Sequence, residues 1–235
     1  MQGNTHRFGG IALGAGASLL AIPVLHIQDP IPFTAVMMAG GAIGSLIPDI
    51  DHEGSLIGRK MKPVSHVVRK VCGHRGFTHT LLALFGYGLI TILLSALIVD
   101  NIGQDVEFAN RIFFSIIAAT VVGSATIFVL SRLAHIVNHR KLTNVTLLVI
   151  AVTFIFAMIE PRVIIGFVPV YMVGSTIGYA SHLILDMLTV SGVPLLFPIS
   201  DHMFRIARLR TGTVEKQVSA VCIFLTFVCL FFIIK

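Results

Sequence analysis

Seven apolar stretches, each too long for a strand, decide what this chain can fold into. They run over residues 8–27, 32–47, 77–99, 112–130, 145–159, 163–188 and 218–234. A helix needs about 20 apolar residues, within a range of about 17–25, to cross the hydrocarbon of a bilayer. Five stretches meet that length; 32–47 and 145–159 are shorter, which leaves room for a re-entrant segment. With no water in the hydrocarbon, backbone N–H and C=O groups must be satisfied inside each segment, and the helix does this. The expected fold is therefore an all-α, polytopic membrane bundle of about seven transmembrane helices. It forms a single membrane domain over residues 1–235.

Composition supports this reading. Hydrophobic residues make up 55% of the chain and charged residues only 12%, against about 25% charged in soluble domains. The apolar excess has to face lipid. Small residues recur within the stretches, at Gly10, Gly14 and Gly16, at Gly40, Gly41 and Gly44, and at Gly174 and Gly178. They allow close helix packing where no hydrophobic effect drives association. The three cysteines form no Cys-x-x-Cys pair, so neither a thiolate zinc site nor a disulfide framework is expected.

The net charge of +6 does not call for nucleic acid, because the cations are sorted by loop. Arg7, the cluster from Arg59 to Arg75, the group Arg132, Arg140 and Lys141, and the group Arg205, Arg208, Arg210 and Lys216 all fall on one side. The other side carries Asp29, Asp100, Asp105, Glu107 and Glu160, with only Arg111, Arg162 and Lys235 opposing them. The positive-inside rule then places the N-terminus and the basic loops in the cytoplasm.

That topology brings chemistry-bearing residues to one face. His6 starts the first helix, Asp49, Asp51 and His52 end the second, His74 and His79 start the third, and His182 and Asp186 end the sixth. His182 and Asp186 are four residues apart, so they share one helix face and can reach one ion. In Pro48-Asp49-Ile50-Asp51-His52 a proline and two spaced carboxylates end a helix, and Asp49 and Asp51 could bridge two ions. In His74-Arg75-Gly76-Phe77-Thr78-His79 a glycine bend precedes a helix. Its histidines can share a pocket, and Arg75 can hold an anionic oxygen. Imidazole with carboxylate suits a divalent ion, Zn²⁺ or Mn²⁺ foremost and Fe²⁺ as a third option. An isolated interfacial histidine is ordinarily just solvated, which is the reading for His26, His66, His135, His139 and His202. The convergent set is different: ionisable residues in an apolar run are expensive and mark function.

The strings Ile47-Pro48-Asp49-Ile50-Asp51-His52, Gly73-His74-Arg75-Gly76-Phe77-Thr78-His79-Thr80 and Ser181-His182-Leu183-Ile184-Leu185-Asp186, with Gly192-Val193-Pro194-Leu195-Leu196-Phe197-Pro198 beyond them, resemble the YdjM-like family. Its members are bacterial inner-membrane proteins described as metal-dependent hydrolases, LexA-regulated in some cases. The resemblance spans residues 5–200. It implies a helical membrane fold and a metal site at His6, Asp49, Asp51, His74, His79, His182 and Asp186, with Arg75 beside it. The scattered His and Asp are also similar to those of bacterial zinc-dependent phospholipases C. Residues 100–161 look like an insertion beyond the compact pattern.

The expected function is metal-assisted hydrolysis at the cytoplasmic face, on a phosphoester or lipid-linked substrate reached from the bilayer. Asp51 would serve as proton acceptor, Arg75 would steady the anionic group, and Thr78 and Ser181 would orient ligands. A transporter or channel is one alternative. A non-catalytic membrane protein with a structural metal is another. The lipid bilayer is the expected partner, and no nucleic acid is expected.

Overall fold

The computed structural model describes residues 1–55, 57–59, 61–72, 76–102, 151–152, 154–155 and 161–235. Six α-helices lie within them: α1 (Gly3–Leu25), α2 (Pro30–Gly44), α3 (Lys62–Cys72), α4 (Leu81–Ile102), α5 (Pro161–Met187) and α6 (Glu215–Ile234). Short 3₁₀ turns, Pro48–Asp51 and Phe77–His79, follow α2 and precede α4. The stretches expected to span at 112–130 and 145–159 lie outside the described residues or almost wholly so, as does most of the proposed insertion.

Among the described residues, five helical segments are long and apolar enough to cross a membrane: Gly3–Leu25, Pro30–Asp51, Leu81–Asn101, Ile165–Met187 and Glu215–Ile234. The second removes a concern raised by the short apolar stretch 32–47. The 3₁₀ turn carries the helical rod on to Asp51 for 22 residues in all, long enough to cross. The chain is a multi-pass helical membrane bundle.

The packing order follows from where side chains are missing. α2 is central, against α1 on one side and α5 on the other; α4 packs on α5, and α6 on α1. At the α1–α2 crossing Gly10 meets Gly41, and a Cβ on Gly10 would lie 2.1 Å from the Gly41 carbonyl oxygen. At the α2–α5 crossing a Cβ on Gly44 would lie 1.8 Å from the Ser175 carbonyl oxygen. Backbones this close gain dispersion contacts that lipid chains cannot supply equally well. Between α4 and α5 the seam is part apolar, around Ile98, Val168, Tyr171 and Met172. It is also part hydroxylic: Tyr87 pairs with Ser175 at 2.6 Å and Thr91 with Thr176 at 3.0 Å. After α5 the chain makes a loop pinned by bridges between Thr189 and Leu209 and between Val193 and Phe204. Leu195 of this loop accepts the Leu81 N–H at 2.9 Å and so ties the loop to the start of α4.

Two features differ from the sequence expectation. α4 begins at Leu81, four residues after the apolar stretch does, because Thr80 acts as its cap and takes the Ala83 N–H at 3.0 Å. His79 therefore sits in the 3₁₀ turn, not in the helix. And the basic loop after α2 contains a helix, α3, which loop charge alone does not announce.

Candidate metal centre

The Asp and His side chains meet at one end of the bundle. His6 comes from the first turns of α1, Asp49 and Asp51 from the turn ending α2, His79 from the turn before α4, and His182 and Asp186 from the last turns of α5. His6, His79 and His182 have no exposed surface, Asp51 has none either, and Asp186 is 1% exposed. Asp49 is partly open, with 17% of its side chain accessible.

His182 is the hub. Its Nδ1 lies 2.7 Å from the Ser45 carbonyl oxygen, which can only accept. Nδ1 therefore carries the proton, and Nε2 presents a lone pair. Around that nitrogen stand His79 Nε2 at 3.2 Å, Asp186 Oδ2 at 3.6 Å and Asp49 Oδ1 at 3.8 Å. His79 Nε2 is itself 3.8 Å from Asp186 Oδ2. Tetrahedral bonds of about 2.0–2.2 Å set donors roughly 3.3–3.6 Å apart. His79, His182 and Asp186 stand at close to that spacing from one another, and Asp49 adjoins them at His182.

His79 is oriented from behind in the same manner. Its Nδ1 lies 3.3 Å from Asp51 Oδ2, and the Thr78 hydroxyl donates to that oxygen at 2.7 Å. The Tyr179 hydroxyl donates to the Thr78 carbonyl and holds the turn against α5. A carboxylate behind an imidazole fixes its tautomer and strengthens it as a ligand.

The other oxygen of Asp186 faces α1. Oδ1 lies 3.3 Å from His6 Nε2 and pairs with the amino group of Met1. The His6 ring stacks on that of His182, with centroids 3.7 Å apart. His6 Nδ1 is buried and makes no hydrogen bond. An orphaned nitrogen of this kind is rare in a finished core. Two sets of possible ligands result, His6 with His182 and Asp186, and Asp49 with His79 and His182; each keeps its donor atoms within 4.8 Å. Asp186 turns Oδ1 to His6 and Oδ2 to His79 and His182.

His6, Asp49, His79, His182 and Asp186 are thus brought together, with Asp51 immediately behind His79. His74 and Arg75 lie outside the described residues. His52, next to Asp51 in sequence, is exposed and accepts the Gly54 N–H on Nδ1 at 2.8 Å. His26, His66 and His202 are exposed and belong to neither set of possible ligands. Ser181, expected to orient a ligand, donates back into its own helix at the Gly178 carbonyl, 2.7 Å away.

Two supporting groups were not singled out from the sequence. The Ser45 carbonyl is one. The other is Glu215, which is 9% exposed at the start of α6. It accepts from the Gln2 N–H at 3.2 Å, the Gly212 N–H at 3.3 Å and the Thr5 hydroxyl. It thereby clamps the turn that carries His6. The sequence carries a signal for it: an acidic residue opens an apolar stretch just after the basic group Arg205, Arg208 and Arg210.

Comparison with known proteins agrees with the fold. The sequence profile of the YdjM inner membrane protein family matches residues 1–137 and 124–235. Uncharacterized protein YvsG of Bacillus subtilis is 30% identical over 217 residues, which is 92% of this chain and 86% of the relative. Inner membrane protein YdjM of Escherichia coli is 52% identical over 40 residues, 17% of this chain and 20% of the relative, and its Shigella flexneri namesake gives the same figures. No solved structure matches the chain. A multi-pass bundle, a shared polar centre at one end and a family profile covering both halves lead to one assignment: the chain belongs to the YdjM inner membrane protein family.

Proposed function

We propose that this protein is a membrane-embedded, metal-dependent hydrolase whose centre lies at the cytoplasmic face and acts on a phosphoester, lipid-linked or free. The observation that carries the reading is the convergence on His182 Nε2 of His79, Asp186 and Asp49 at 3.2–3.8 Å. His79, His182, Asp186 and Asp49 would hold a divalent ion, Zn²⁺ or Mn²⁺ by the donor chemistry. His6 and the second oxygen of Asp186 offer part of a second position. A divalent ion there supplies Lewis acidity and brings the pKa of a coordinated water to about 7.

The protein's own groups account for the rest. Asp51 keeps the His79 ring aligned and is the nearest outlying carboxylate able to take a proton. Asp49 is the partly open member and marks the side from which substrate enters. Arg75, by its place in the His-Arg-Gly motif, would pair with an anionic oxygen of the substrate. The buried walls around Ala83, Tyr179 and Leu183 exclude water beneath the centre. The positive-inside sorting of the cations supports the cytoplasmic assignment.

The test is metal analysis of detergent-purified protein beside two variants, His79→Ala and Asp186→Ala, with hydrolysis of a chromogenic phosphodiester followed in parallel. Wild type should carry at least one tightly held divalent ion, and both variants should lose it while remaining membrane-inserted. Unchanged metal content in both variants defeats the reading. Metal retained by wild type with no hydrolysis of phosphoesters in water or vesicles would instead make the ion structural.

A further inference from the structure

The centre does not explain α3. At 11 residues Lys62–Cys72 is far too short to cross a bilayer, and it sits between two helices that do cross. At about 100° per residue, Val64, Val67 and Val71 share one arc of its surface, while Lys62, His66, Arg69 and Lys70 share another. Ser65, with no exposed surface, marks the inward side. The apolar arc is not used in packing: Val64 is 42% exposed, Val67 59% and Val71 78%, and Met61 just before the helix is 42% exposed. On α4, Leu82, Phe85 and Leu89 likewise face outward, all more than half exposed.

The rotation of α3 is set from its polar side. Glu53 lies 3.2 Å from His66 Nδ1 and 3.8 Å from Arg69. Glu53 is thus set against His66 and Arg69, and with Lys62 and Lys70 also on it the polar arc stays positive. α3 also packs on the Pro48–Asp51 turn, which carries Asp49 and Asp51.

We propose that α3 lies in the plane of the membrane on the leaflet beside the His/Asp centre, with Val64, Val67 and Val71 in the acyl boundary and Lys62, Arg69 and Lys70 against anionic lipid headgroups. An amphipathic helix with a cationic polar face binds such an interface through both its apolar area and its charge. The cationic polar arc complements anionic headgroups, and the helix lies in the chain between two membrane-spanning segments, which favours lipid as the occupant of its apolar arc. The turn bearing Asp49 and Asp51 is then moored at a fixed depth. This holds whether or not the centre is catalytic.

The sequence contains no tryptophan, so one introduced indole is an unambiguous depth probe in the full chain. Val67→Trp, Val71→Trp and Lys70→Trp proteins are placed in vesicles of mixed phosphatidylcholine and phosphatidylglycerol. Emission at 67 and 71 should be quenched several-fold more by acyl-brominated lipid than by aqueous iodide, and Lys70→Trp should show the reverse. Quenching at 67 should be stronger with brominated phosphatidylglycerol than with brominated phosphatidylcholine. That preference should vanish in the Lys62→Gln/Arg69→Gln/Lys70→Gln background. Iodide reaching 67 and 71 as readily as 70 would place the helix in water and overturn the proposal. Neither quencher reaching 67 or 71 would mean that protein covers the stripe, and it too would overturn it. Equal quenching by the two brominated lipids would remove the headgroup contact.

Discussion

His182 and His79 reach the centre in the same way, each held at Nδ1 so that Nε2 is left to face inward. The supports differ in kind. His182 leans on a backbone carbonyl, which no side-chain substitution removes, whereas His79 leans on Asp51. Asp51→Asn should therefore be informative, since the amide preserves the shape but not the charge behind the imidazole. Loss of such an outer partner lowers metal affinity about 10–100-fold. Titration against a chromophoric chelator should show that weakening, with a stoichiometry close to wild type. Loss of the ion altogether would make Asp51 a ligand, one of the two roles its motif allows. The side chains of the cluster are legible in the sequence because imidazole and carboxylate stand out in an apolar run. The Ser45 carbonyl is not, since every residue has one and only the fold decides which carbonyl faces a ring.

The elements owe their spacing to positions without a side chain. Gly44→Ala puts a methyl group 1.8 Å from a carbonyl oxygen of α5, so α2 must move or the helices must part. Overpacking of this sort costs about 1–3 kcal/mol, and the Pro48–Asp51 turn would move with α2. Gly16→Ala meets nothing within 4 Å, and a glycine in mid-helix is worse than alanine by roughly 0.5–1 kcal/mol. Thermal unfolding in detergent should place the first variant well below wild type and the second level with it or slightly above. Glu215 acts on the same scale by fastening the start of α1 to α6. Glu215→Ala takes the acceptor from the buried Thr5 hydroxyl and unfastens the more exposed N–H groups of Gln2 and Gly212. A stranded donor costs about 1–3 kcal/mol, and His6 would lose its fixed place. The sequence spacing announced the glycines as contact points but not their partners, because pairing Gly10 with Gly41 requires knowing which helices adjoin. The same limit hid α3: its apolar period was present, but its charges had a sufficient explanation in topology.

At the scale of the molecule the centre is where, among the described residues, α1, the end of α2, the turn before α4 and the end of α5 meet. In the apo state it sets three buried imidazoles and two buried carboxylates among helices otherwise held by small-residue packing and a few hydroxyl contacts. Polar groups buried in this way disfavour folding unless something pairs with them. An ion bound to the folded chain and not to the unfolded one stabilises by mass action, about 2.7 kcal/mol at a free concentration of 100 Kd. The bundle should therefore unfold at a higher temperature in Zn²⁺ or Mn²⁺ and at a lower one after chelation. The gain should grow with the logarithm of free metal. Asp186→Asn tests whether that gain comes from this centre, since both of its carboxylate oxygens face histidine nitrogens. The variant should unfold at one temperature with or without metal. A metal-dependent shift that persists in Asp186→Asn would mean that the ion binds elsewhere, and the four helix ends would then owe their meeting to packing alone.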